Sequence, residues 1–375
     1  MSVGVIFGGK SCEHDISIIT GVQALNVLQV AGYDAVPIYI DGEGAWYSGK
    51  EMTTVADFED VNPKVRKKWL PVRLEPSCKA LIGPKGKHIK NLNCIVVCTH
   101  GVGGEDGCLQ GLLQLTGIPY TGCGVLASAA GMDKAVMKKI FKHAKLPLVP
   151  YDVILSKEAN ETPNKLLKIA EKLKYPVIVK PANLGSSIGI GIANNDAELI
   201  EAAKAAAAYD SKLVVEKALV DFIELNCAVL GRENDLITSG VEQPVGWKEF
   251  LTFEDKYMDP AYKSDKGTRV KSPAQIDDEL KAKVKNVAKQ AFESIGASGV
   301  ARIDFLMDGD KLYVNEINTI PGSLSFYLFE YEGMSYAELL SRLIRLAKEE
   351  QADRDGLTYV YKSDVLKGIG QKNRK

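Results

Sequence analysis

The chain has no excess of either charge: its 375 residues include 47 lysines and arginines against 48 aspartates and glutamates. That balance gives no support for binding to nucleic acid or to a membrane surface. Cysteine is sparse, and the seven present are an odd number scattered through apolar runs, which argues against a disulfide framework and fits a reducing cytosol. Cys94 and Cys98 share one apolar run and read as packing residues. No run approaches membrane-spanning length, and the opening MSVGVIFGGK lacks the charged region and long apolar stretch of a secretory leader. No internal repeat is evident. A soluble cytoplasmic enzyme is the expectation, and its length calls for two or three domains rather than one core.

Alternating patterns supply the organisation. Residues 3–7 and 35–40 read as parallel-type strands flanking a helix near 18–31, and the run NCIVVCTH as another strand, so an open α/β domain should end near Tyr120. Pro63, Pro71, Pro76 and Pro84 punctuate a loop-rich part of it. A helix is expected over about 133–145, then strands around a Gly/Ser loop and an Ala-rich helix over 198–209. A third segment should start near Leu213, with helices near 277–295 and 335–349; the last 25 or so residues are polar and give no clear pattern. These readings divide the chain into 1–121, 122–212 and 213–375.

The stretch Val300 to Ser325, VARIDFLMDGDKLYVNEINTIPGSLS, carries the strongest chemical signal. Period-two alternation puts Arg302 and Asp304 on one face of a first strand, and Glu316 and Asn318 on one face of a second. Asp308-Gly309 is a turn signal between them. A two-residue loop would leave Asp304 sharing a face with Tyr313, so an odd-length loop is expected to align all four polar side chains. Oxygen donors without histidine or cysteine suit Mg²⁺ rather than zinc. An ordinary surface hairpin with a salt bridge is the alternative reading.

In Tyr175 to Ile192, YPVIVKPANLGSSIGIGI, a β-branched run ends at Lys180 and precedes a Gly/Ser loop. Backbone N–H groups and the hydroxyls of Ser186 and Ser187 suit phosphate oxygens, with Lys180 as a fixed charge. This loop is not of the Walker A pattern, and no G-x-G-x-x-G follows a strand. Further on, Glu216, Lys217 and the backbone at Leu219 are read as a hinge against which an adenine packs, and Glu224 as a hydrogen-bond acceptor for ribose hydroxyls; by composition alone that signal is weak.

In this order the motifs resemble the ATP-grasp superfamily and, within it, the D-alanine–D-alanine ligases. Two N-terminal blocks carry the closer resemblance: GVIFGGKSCEHDISIITG at Gly4 to Gly21, and the long THGVGGEDGCLQGLLQLTGIPYTGCGVLASAAGMDK at Thr99 to Lys134. It covers nearly the whole chain, thinning after about Arg345. The resemblance implies an α/β chain of three-domain ATP-grasp architecture, with an N-terminal open parallel-sheet domain and two α+β domains clamping ATP.

It also implies residue roles. Glu13 would hold the ammonium of the first D-alanine, with His14 as a candidate positioner, whereas His100 reads as a satisfied core histidine. Ser186 and Tyr257 would join Glu13 in a network that closes a mobile loop over the reactants and excludes water. Lys134 and Lys180 would hold phosphates, and Asp304, Glu316 and Asn318 two Mg²⁺ ions, for which Mn²⁺ could substitute. Arg302 and the N–H of Gly322 would stabilise a tetrahedral oxyanion. The implied reaction joins two D-alanines through an acyl phosphate for peptidoglycan precursor synthesis, in a cytoplasmic homodimer. Tyr257 argues for an amine acceptor rather than a hydroxy acid.

Two departures from the family pattern bear on this. One extra residue lies between Glu216 and Glu224, and after NTIPG the chain has Phe326, Tyr327 and Leu328 where the family usually has Ser followed by Leu or Met. Tyr327 either binds the acceptor's carboxylate from a shifted position or reshapes the pocket, and the two aromatics could equally pack against a neighbouring domain. The alternatives kept open are a ligase joining D-alanine to D-serine or another acceptor, and a nucleotide-binding regulator without turnover.

Overall fold

The computed structural model describes residues 1–59, 67–76, 78–244, 270–271 and 273–363. Three larger sheets organise it. The first has the order Leu70–Pro71, Trp46–Ser48, Asp34–Ile40, Ser2–Gly8, Cys94–Val97. Three neighbouring strands, Asp34–Ile40, Ser2–Gly8 and Cys94–Val97, are parallel, with Val5 level with Pro37 and Val96. Ser2–Gly8 is buried almost throughout, as a parallel strand covered on both faces requires. The helix His14–Val30 lies against it through Ile18, Val22 and Leu25. Gly21 permits that approach, because a Cβ there would stand 2.3 Å from the Phe7 ring.

A formal Walker A string does occur here, Gly4 to Ser11. Gly4, however, sits mid-strand opposite Val36 and Ile95, so its first half is sheet and not a loop that could wrap phosphate.

The second sheet is antiparallel throughout, in the order Gly191–Ala193, Val177–Pro181, Lys212–Lys217, Tyr151–Leu155. Helices Pro163–Leu173 and Asp196–Ala207 cover one face through Leu166, Ala170, Leu199 and Ala203. The Lys212–Lys217 strand pairs on both sides within this sheet, so it belongs with the central layer, not with the third segment expected from Leu213 onward.

The third sheet runs Val270–Lys271, Asp235–Pro244, Ile223–Arg232, Gly299–Asp308, Lys311–Asn318. Under it pack Asp278–Ser294, capped by Asp277, and Lys134–His143, whose Met137 and Phe141 share a core with Ile303 and Phe305. The 134–143 helix therefore packs on the third layer although its sequence precedes the second. The final helix, Tyr336–Asp355, starts at a Ser335/Glu338 capping box and runs six residues beyond the expected end at 349. Its Leu339, Leu343 and Ile344 join the core of the first sheet, which closes the chain back onto its beginning.

The hairpin of the third sheet corrects one expectation. Its turn holds two residues, Gly309 and Asp310, between paired Asp308 and Lys311. Alignment comes instead from a bulge: Phe305 opposes Val314 while Asp304 opposes Glu316, which leaves Asn315 as the extra residue. Past the bulge Asp304 faces Glu316 and Arg302 faces Asn318, the arrangement the odd-length loop was invoked to produce. Among the described residues no helix is long and apolar enough to cross a membrane.

Candidate active site

Lys134 is the first residue of its helix because Asp133 caps it, accepting from the backbone N–H groups of Ala135 and Val136. Its ammonium donates to the Leu184 carbonyl at 2.9 Å and pairs with Glu316 at 3.1 Å. One side chain thus joins the glycine-serine loop to the hairpin. Burial works against its charge, but Glu316 outweighs that and holds its pKa above the ordinary lysine value.

Lys180 is the penultimate residue of the Val177–Pro181 strand, is 3 % exposed, and pairs with Glu216 at 3.4 Å. It also donates to Oδ1 of Asn315, the bulge residue, at 3.2 Å. The irregularity that aligns the hairpin therefore also gives the lysine a neutral partner. Beyond Lys180 the loop turns through Ser186 and Ser187, whose φ angles of +53° and +59° are in the left-handed region. Ser186 donates its hydroxyl to Glu13, which ties the loop to the first sheet's domain.

Arg302 forms a two-pronged ion pair with Asp304, Nε to Oδ1 at 2.6 Å and Nη2 to Oδ2 at 2.8 Å. Asn318 donates to the same carboxylate at 2.9 Å. These residues line two confluent clefts. One, of about 560 Å³, is bordered by Lys134, Lys180, Ser187, Glu224 and Glu316. The other, of about 950 Å³, is bordered by Glu13, Glu242, Arg302, Asn318, Gly322 and Tyr327. Ser186, Glu224, Asn226, Asp304 and Glu316 border both.

Several expected residues lie elsewhere. Glu216 is 2 % exposed and sits between Lys180 and Lys138, the latter at 3.2 Å. Burial opposes its charge, yet the two lysines hold its pKa below the usual carboxylate value. Its carboxylate is a buried counter-ion to both lysines. Lys217 donates to the carbonyls of Lys174 and Tyr175, and it borders neither cleft, nor does Leu219 on the connector after it. His14 bonds to the Gly9 carbonyl and the Tyr39 hydroxyl, so it anchors the first loop instead of positioning Glu13. His100 bonds Thr20 at 2.8 Å, and burial lowers its pKa to about 4, as a core histidine requires. Phe326 stacks on Tyr336 at 4.3 Å and is a packing residue, whereas Tyr327 borders the cleft. Tyr257 lies outside the described residues.

Four residues escaped the sequence reading. Lys138 follows Lys134 by one helical turn, a spacing that could have marked it. Asn226 stands opposite Asp304 on the neighbouring strand. Glu105 accepts from the backbone N–H groups of Gly101 and Ile320, and burial followed by the charge of Glu13 raises its pKa. Glu242 is 5 % exposed, and burial pushes its pKa up to about 7. Nothing local distinguishes the last three.

The donor set fits a hard cation. Among the described residues no three His, Cys, Asp or Glu side chains gather as a metal site, but two facing carboxylates and an amide border one cleft, which leaves coordination positions for phosphate oxygens and water. Two buried lysines beside them suit a polyphosphate.

Two α+β layers that clamp a lysine-lined cleft, one offering a glycine-serine loop and the other an acidic hairpin, define an ATP-grasp fold. The family models described as D-ala D-ala ligase N-terminus and C-terminus match residues 2–123 and 140–345. A D-alanine–D-alanine ligase of Thermosipho africanus is 38% identical over 360 residues, covering 96% of each chain, and one of Chloroherpeton thalassium is 40% identical over 365 residues, covering 94% of this chain and 97% of that one. The solved structure of the Coxiella burnetii D-alanine–D-alanine ligase superposes with a TM-score of 0.80 at 26% identity, covering 95% of this chain and 97% of that one. The chain belongs to the D-alanine–D-alanine ligase family.

Proposed function

We propose that the chain joins two D-alanines into D-alanyl-D-alanine at the expense of ATP, for peptidoglycan precursor synthesis, in the cytoplasm and as a homodimer. The observation that carries this reading is the meeting of Lys134, Lys180 and Glu316, from three separate elements, in a cleft that opens onto Glu13 and Arg302. Triphosphate and carboxylate are both anionic, so bringing them together requires fixed cations. Lys134 and Lys180 are those cations, and burial strengthens their effect on phosphate oxygens. Asp304, Glu316 and Asn318 would hold Mg²⁺, proposed as two ions, which would neutralise charge on the phosphate oxygens.

Glu13, at the domain junction, receives the ammonium of the first D-alanine and directs its carboxylate toward the γ-phosphate, so that a carboxylate oxygen bonds to phosphorus as the β–γ bond breaks and ADP leaves. Ser186 holds Glu13 while the Gly/Ser loop covers the reactants, which protects the acyl phosphate from water. The second D-alanine, once its ammonium has given up a proton, attacks the acyl carbon through the free amine; the acyl C–O bond breaks and phosphate leaves. Arg302 and the N–H of Gly322 face the oxyanion formed in that step, each worth about 3–4 kcal/mol in comparable sites. Glu224 is assigned to the ribose.

The test is the mass of the products formed from ATP, Mg²⁺ and an equimolar mixture of D-alanine, D-serine and D-lactate. D-alanyl-D-alanine as the main product supports the reading. A mixed product, or ADP release without dipeptide, would move the function to another acceptor and direct attention to Tyr327.

A further inference from the structure

We infer that Glu242 is the anionic partner of the acceptor's ammonium group, and hence a residue that, beside Tyr257, favours an amine acceptor. The inference rests on the ligation reading above. Both substrates of that reaction arrive as zwitterions, so the cleft must receive two ammonium groups. Glu13 accounts for one of them.

The sheet registers show where a second partner stands. Glu242 is level with Asn226, Asn226 with Asp304, and Asp304 with Glu316, so the four form one row across four adjacent strands. At about 4.8 Å between strands, the row sets Glu242 roughly 10 Å from Asp304 and about 14 Å from Glu316. Glu316, at one end, is paired with Lys134 at the phosphate-binding side. Glu242, at the other end, borders the cleft of Gly322 and Tyr327, which the ligation reading assigns to the second substrate.

Glu242 also has a buried carboxyl oxygen that its surroundings leave without a donor. It is 5 % exposed, and its Oε2 has no hydrogen-bond partner among the described residues. The nearby cation, Arg302, directs two of its N–H groups at Asp304. A buried carboxylate oxygen without a donor is costly, and it persists where a ligand supplies the donor. An ammonium brings three N–H donors and a positive charge to that position, whereas a hydroxy acid brings one neutral donor. A second carboxylate would be repelled there, which turns the acceptor's own carboxylate away from Glu242 and its amine toward it.

The experiment compares the full chain with Glu242→Gln in two assays. Steady-state titrations give separate KM values for ATP, donor and acceptor, and a product-mass assay uses equimolar D-alanine and D-lactate. The expected result is a rise of at least about tenfold in acceptor KM, with the ATP and donor KM values within about twofold, and a fall in the ratio of dipeptide to depsipeptide. Glu242→Asp, which keeps the charge, should retain most of the amine preference. It also serves as the test if the glutamine variant does not fold. Unchanged acceptor KM and product ratio in the glutamine variant would overturn the inference. So would an equal rise in all three KM values, or an aspartate variant as unselective as the glutamine one. Wild-type chain that makes no dipeptide at all would instead refute the ligation reading itself, which separates the two failures.

Discussion

Replacing Glu216 by glutamine removes the negative centre of a buried Lys138–Glu216–Lys180 cluster while keeping its shape. The two contacts measure 3.2 and 3.4 Å, and the three side chains are 1–3 % exposed. At an effective dielectric constant of 20, each contact corresponds to about 5 kcal/mol of gross attraction. Desolvation of three charges and repulsion between the lysines cancel much of this, and breaking a buried pair typically costs about 3–5 kcal/mol. Glu216→Gln should therefore lose about 3–5 kcal/mol in urea denaturation near neutral pH. Combining it with Lys138→Met should restore part of the loss, since one stranded charge is then gone. The pH dependence has a definite sign. The lysines depress the folded pKa of Glu216, so its stabilisation is present above the unfolded value of about 4.3 and is lost as pH falls through the lower folded value. The difference between wild type and variant should close only in acid. A loss below about 1 kcal/mol, or a double variant whose losses simply add, would falsify the charge-centre account.

Two further substitutions test the proposed roles. Glu316→Gln should reduce turnover by at least about a thousandfold, because it removes both the proposed metal ligand and the partner of Lys134; near-normal activity would refute the metal assignment. Arg302→Lys cannot reproduce the two-pronged contact with Asp304, and kcat should fall by about a hundredfold or more while the ATP KM stays within about threefold. A matched rise in ATP KM would instead assign Arg302 to nucleotide binding.

Local pattern was a reliable guide where one element decides the outcome. Lys180 before a Gly/Ser loop, the Asp133 and Ser335 helix starts, and the alternation that places Arg302 beside Asp304 all depend on neighbours a few residues away. The hairpin shows how such reasoning can reach the right face for the wrong reason. Alternation required Asp304 and Glu316 to align, but a bulge at Asn315 achieves this, and a bulge leaves no mark in hydrophobic periodicity. The strand at Lys212–Lys217 was misplaced because a run of apolar residues does not say which sheet it will join.

The sequence by itself determined the family, the order of motifs, and which lysines, carboxylates and loop residues are available for the chemistry. Those are properties of short segments, and short segments are governed by backbone sterics, turn residues and apolar spacing. Only the tertiary structure decided that Glu216 is a buried counter-ion and that Lys217 secures a backbone turn. It alone decided that Glu242 shares a row with the carboxylates of Asp304 and Glu316. Burial and charge partnership arise between residues far apart along the chain. A glutamate reads the same in sequence whether it meets water, two lysines or an empty cleft, and folding alone determines which.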